Sequence, residues 1–164
     1  MTRRIRAWLV LFMAGLVLSG LTALPLEKEL AVLARMLGFS PAPASAPESA
    51  LHAWLGKVYA ALVDTNRRHP FLAYGTDWLA FGHLVIAVAF IGPVRDPVRN
   101  KWVVTFGLVA CAAVVPMALI AGQVRGIPVW WRLIDCGFGV FGSIPLIISR
   151  RAIRRLETLR AAVR

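Results

Sequence analysis

The stretch "WVVTFGLVACAAVVPMALIA", residues 102–121, runs for 20 residues without a charge. At a helical rise of about 1.5 Å per residue it is about 30 Å long, which is the thickness of a bilayer's hydrocarbon core. Three more stretches match it in length and character, at about 7–26, 73–94 and 128–149. Each suits a membrane-spanning helix. The composition agrees, because 59% hydrophobic and 16% charged residues lie outside the usual range of a soluble domain. Four spans use up most of the 164 residues, so 1–164 reads as a single membrane domain with no room for a separate catalytic one. The expected fold is all-α, an integral membrane four-helix bundle.

The first stretch, "AWLVLFMAGLVLSGLTALPL", follows Arg3, Arg4 and Arg6. That arrangement also fits a secretory signal peptide, but Leu21 of "LTA" is large where a cleavage site prefers a small residue. An uncleaved anchor is therefore the expectation.

Charge sets the orientation. With the N-terminus in the cytoplasm, twelve of the 19 Lys and Arg residues fall on the inner side, including Arg95, Arg99, Lys101 and the basic tail 150–164. Six of the eight acidic residues fall on the outer side, the exceptions being Asp96 and Glu157. The excess of basic residues in cytoplasmic segments places both termini inside. A cytoplasmic face set against anionic membrane lipid accounts for the net charge of +11, and no nucleic-acid partner is implied. The expected location is a cell membrane, the inner one if the source is Gram-negative, with multiple passes.

The long outer loop, 27–72, carries two helical patterns. Leu26, Leu30, Leu33 and Leu37 form one apolar stripe stopped by Gly38. Leu51, Trp54, Leu55, Val58 and Leu62 form another, and "SPAPASAPES" at 40–49 separates them as a stiff, non-helical linker. Two amphipathic helices here either lie on the membrane or cap the bundle.

Polar residues inside the spans are few, and each carries a plain reading beside a functional one. Thr76 or Asp77 suits the start of the second span, where a carboxylate meets the positive end of the helix dipole. His83 lies about 10 Å further in among apolar neighbours, either as a satisfied interhelical donor or as a ligand or acid–base group. Asp135, seven residues past Pro128, reaches the same depth in the last span. Arg132 stands at i−3 from it, within reach of an ion pair. Gln123 and Arg125 in the short outer loop close this patch from above. In the third span Gly107, Ala110 and Val114 allow close helix approach, and Pro116 interrupts one backbone bond. The tail continues the last helix, with Glu157 in range of Arg154 and Arg160.

Three functions suit this pattern. One is a non-enzymatic protein binding a lipid, a small ligand or a partner subunit through Asp77, Gln123, Arg125 and Arg132. The second is a membrane-embedded enzyme on a lipid-like substrate, with His83 and Asp135 as the acid–base pair. The third is proton-coupled transport by a homo-oligomer. No cofactor is identified: a haem held by two histidines has only His83 within a span, and His83, Asp135 and Asp77 lack a metal-ligand spacing. Cys111 and Cys136 lie in apolar runs and read as buried thiols.

Overall fold

The computed structural model describes residues 2–40 and 49–162. The expected linker falls almost wholly at 41–48, outside the described residues. Among those described there are helices and no strands. The order is α1 (Thr2–Ala23), α2 (Leu26–Leu37), α3 (Ala50–Arg68), a 3₁₀ turn at Pro70–Ala73, α4 (Tyr74–Ala89), α5 (Ile91–Arg95), α6 (Lys101–Val124) and α7 (Val129–Ala162). Four segments are long and apolar enough to cross a membrane: Thr2–Ala23, Pro70–Arg95, Lys101–Val124 and Val129–Ala162. Their apolar faces are open, with Phe141 72%, Phe138 70% and Met117 68% exposed. In water such surface drives aggregation, whereas among lipid tails it costs nothing. This is a multi-pass membrane protein.

The second span differs in detail from the uninterrupted helix expected over 73–94. Pro93 has no N–H to offer the Ala89 carbonyl, so the α-helical ladder cannot continue through it. Phe90 N–H instead shares the carbonyls of Ile86 at 3.3 Å and Ala87 at 3.1 Å, and α5 begins just beyond. The turn that follows is held by side chains. Asp96 Oδ1 accepts from the N–H groups of Val98 and Arg99, both at 3.2 Å, and Asn100 Nδ2 donates to Gly92 O at 3.2 Å and Asp96 O at 3.0 Å. The prolines in longer helices have a milder effect, since α6 continues through Pro116 and α7 through Pro145.

The chain divides into two compact units. One comprises residues up to Leu16 and from Ile86 onward, and the other is Val17–Val85.

In the first unit α6 and α7 form a tight antiparallel hairpin. Small residues set the spacing: a Cβ on Gly139 would stand 2.4 Å from Cys111 O, and one on Gly107 would stand 2.7 Å from Phe90 Cζ. The core of the unit is Ile5, Leu9, Phe90, Val103, Val104, Cys111, Leu146 and Ile153. Phe12 packs on Phe90 with ring centroids 4.7 Å apart. The 34 residues of α7 span about 51 Å, well over a hydrocarbon core, so about 14 of them project beyond it. The projecting part stays packed, with Ser149 and Ile153 buried.

Basic residues are anchored around this end. Arg6 Nε donates to Val94 O at 2.9 Å, supplying a cation to the carbonyl end of α5. Arg150 donates to Thr105 Oγ1. Glu157 does not take the local partners expected for it: Lys101 Nζ meets its Oε1 at 2.7 Å instead of Arg154 or Arg160. The packing of α7 beside the start of α6 brings Lys101 closer than the neighbours on its own helix.

In the second unit α2 and α3 pair through Leu30, Ala34, Phe39 and Leu55, all buried. The stop at Gly38 falls where expected. Its φ of +76° is the left-handed cap that glycine adopts without strain, and its N–H bonds Ala34 O. Ser49 starts α3 by accepting from His52 N–H at 3.2 Å. Ser49→Ala should cost about 1 kcal/mol of helix stability. Hydrogen exchange at the His52 amide is the direct readout, with about a fivefold acceleration expected. Gly20 lets α1 approach α4, where a Cβ would meet Ala80 O at 3.0 Å.

Candidate functional site

The polar group in the first unit is built on the connection between α6 and α7. Gly126, at φ +67°, ends α6 in a Schellman arrangement: Ile127 N–H bonds Gly122 O at 2.9 Å, and Gly126 N–H bonds Gln123 O at 3.2 Å. Pro128 then receives the N–H groups of Trp131 at 3.0 Å and Arg132 at 3.1 Å, opening α7. The chain reverses within a few residues. Arg132, in the first turn of α7, is thereby laid across the last turn of α6.

Gly122 makes room for it. A Cβ there would stand 2.4 Å from Arg132 Cδ and 2.6 Å from its Cγ, so the stem of the arginine occupies the volume that any other residue would fill. Its Nη1 donates to Gln123 Oε1 at 2.7 Å and to Leu119 O at 3.2 Å. A cation on the carbonyl end of a helix is favoured by the helix dipole and by the carbonyls left unbonded there. Arg132 Nε is buried and has no acceptor among the described residues.

The ion pair expected between Arg132 and Asp135 does not form among the described residues, where Arg68 pairs with Asp64 and Lys101 with Glu157. The reason is competition. Gly122 and the Gln123 carboxamide draw the guanidinium to α6, away from the neighbour three residues on. Asp135 remains half-buried on α7. Arg125 caps α6 with its backbone, its N–H bonding Ala121 O at 2.9 Å, and is itself exposed. Of the six residues singled out in the sequence, Gln123 and Arg132 are joined.

His83 and Asp77 belong to the second unit. His83 Nδ1–H donates to Leu79 O at 2.8 Å, one turn back on its own helix. That bond leaves Nε2 with its lone pair. Its Cβ lies against Gly20, 3.1 Å from where a Cβ there would stand. Asp77 stands exposed in the first turn of α4, at the positive end of the helix dipole. Thr76 is not the acceptor cap its position suggests, because its Oγ1 donates to Ala73 O at 2.7 Å.

No family model matches this chain, and neither a curated protein nor a solved structure matches it. The geometry is therefore the guide to function. Among the described residues no three His, Cys, Asp or Glu side chains gather into a group fit to hold a metal. Gly122 is the functional neighbour that sequence reasoning passed over. The signal was present in "GQVRG", a glycine just before the polar residues at a helix end.

Proposed function

We propose that this protein, multi-pass in a cell membrane with both termini cytoplasmic, binds a lipid, a small ligand or a partner subunit through the polar group at the ends of α6 and α7. Arg132 carries the reading. Its guanidinium spends Nη1 on Gln123 and Leu119, while Nε is buried without an acceptor. Leaving a buried donor unpaired costs about 1–3 kcal/mol. A ligand with a phosphate or carboxylate supplies the missing acceptors in the fork geometry that arginine favours. Asp135, half-buried three residues further along α7, gives the group a second, opposite charge with which to orient a ligand. The orientation rests on the basic excess at the end of the first unit that holds Arg6, Lys101 and Arg150.

Arg132→Gln tests this. Lipids and small molecules retained by the purified chain, measured per mole of protein, should fall about tenfold for the occupant of the site. Unchanged retention would leave Arg132 as a helix cap only.

A second reading has one observation in its favour. The bond from His83 Nδ1–H to Leu79 O leaves Nε2 available as a base. In a membrane-embedded enzyme acting on a lipid-like substrate, His83 would serve as the general base.

A further inference from the structure

A separate polar group lies in the second unit, and it is independent of Arg132. Glu27, in the first turn of α2, accepts a hydrogen bond at 2.6 Å from Asn66 Nδ2 in α3, 39 residues away. A carboxylate only accepts, so the amide nitrogen must face it, and this leaves Asn66 Oδ1 pointing elsewhere. That oxygen is buried and has no donor among the described residues. Glu27 and Asn66 both line a cavity of about 350 Å³ whose apolar walls include Leu24, Leu26, Leu62 and Leu72. Lys28, Thr65 and Thr76 complete the polar lining. Thr76 has already spent its hydroxyl hydrogen on Ala73 O, so toward the cavity it too offers lone pairs.

The position of the cavity is as informative as its lining. Leu24–Lys28 follow directly on the span Thr2–Ala23, and Leu72–Thr76 lie in the first turns of the span Pro70–Arg95. Residues at the ends of two spans lie at the level of lipid head groups. Glu27, Asn66 and the threonines there can accept hydrogen bonds, Glu27 as a carboxylate, and Lys28 is the cation in the lining. The complement is a molecule with a primary ammonium, an anionic group a few atoms away and an apolar body.

We propose that this cavity binds the head group of a phospholipid bearing a primary ammonium, of the phosphatidylethanolamine class. The ammonium N–H donors go to Glu27 and Asn66 Oδ1, the phosphate goes to Lys28, and the glycerol and upper acyl chains lie along the leucines. Phosphatidylcholine carries the same charges but no N–H donor, and phosphatidylglycerol has no cation. The site therefore distinguishes head groups by hydrogen-bond donation as well as by charge.

The experiment uses the full chain purified in detergent and offered an equimolar mixture of the three lipids with identical acyl chains. Lipid retained per chain is read by native mass spectrometry. Phosphatidylethanolamine should be held about tenfold over phosphatidylcholine, the value of one charge-assisted hydrogen bond. Glu27→Gln should bring that ratio to about one, and Lys28→Met should lower both lipids alike. If Glu27→Gln does not fold, Asn66→Leu, which keeps the branched outline without the polar atoms, removes the same recognition and should also abolish the preference. Equal retention of the two zwitterionic lipids by the unaltered chain overturns the proposal. So does a preference for phosphatidylglycerol, or a preference for phosphatidylethanolamine that survives both substitutions.

Discussion

Gly139→Val should unfold the α6–α7 hairpin. The first carbon of any side chain at this position would stand 2.4 Å from Cys111 O and 3.2 Å from Val114 Cβ. The nearer of these atoms is backbone of the facing helix and cannot rotate away, so relief requires the helices to part. Within lipid there is no hydrophobic gain in bringing helices together, and their association rests on close packing. Parting therefore removes the attraction itself. Overpacking a well-filled core costs about 1–3 kcal/mol, and a β-branched residue against rigid backbone should exceed the upper figure. Thermal unfolding in detergent is the measurement, with Gly137→Ala as the control. There the new Cβ meets only the Phe141 ring at 3.5 Å, an ordinary contact, and the transition should stay within about 0.5 kcal/mol of the parent. A Gly139→Val chain that melts with the parent would show that the two helices do not approach at this point.

The second large effect is a coupling. Phe90 is fully buried, packed on Phe12 and directly over Gly107. Phe90→Ala should cost about 3–5 kcal/mol through the cavity it leaves. Gly107→Ala should also destabilise, since its Cβ would lie 2.7 Å from Phe90 Cζ and 2.9 Å from Leu146 Cδ1. The two changes oppose each other, because the methyl group added at 107 enters space that the lost ring vacates. The double variant should therefore be more stable than the sum of the single changes by about 1 kcal/mol or more. Additive effects would mean that the ring does not sit on Gly107. The coupling also separates this packing from general sensitivity of the core, which would give two large but independent losses.

Both positions illustrate what could be read in advance. Gly107 was identifiable as a point of close approach because a glycine in an apolar helix invites one. What fills the gap was not identifiable, since Phe90 comes from a bend created by Pro93 and the ring reaches α6 only through tertiary packing. The amphipathic stripes of α2 and α3 were legible, and so was the end of α2, because Gly38 is a local signal acting on its own helix; Ser49, which starts α3, reads from the sequence only as the last residue of the linker. The polar contacts were legible only in part. Helical spacing names the neighbours at i±3 and i±4, so it suggested Asp135 for Arg132 and Arg154 or Arg160 for Glu157. The structure chose Gln123 and Lys101, which lie on a different helix in each case. The Glu27–Asn66 pair gave no sign at all, being separated by 39 residues and joined only when α2 and α3 pack.

What the sequence by itself determined is the set of membrane-crossing segments and the two amphipathic helices α2 and α3, because length, periodicity and the absence of charge act within one segment. What only the tertiary structure decided is the partner of each polar side chain. A long side chain such as arginine reaches as far across a helix interface as along its own helix. Which direction it takes depends on where a facing glycine leaves room, and at Arg132 that room is Gly122.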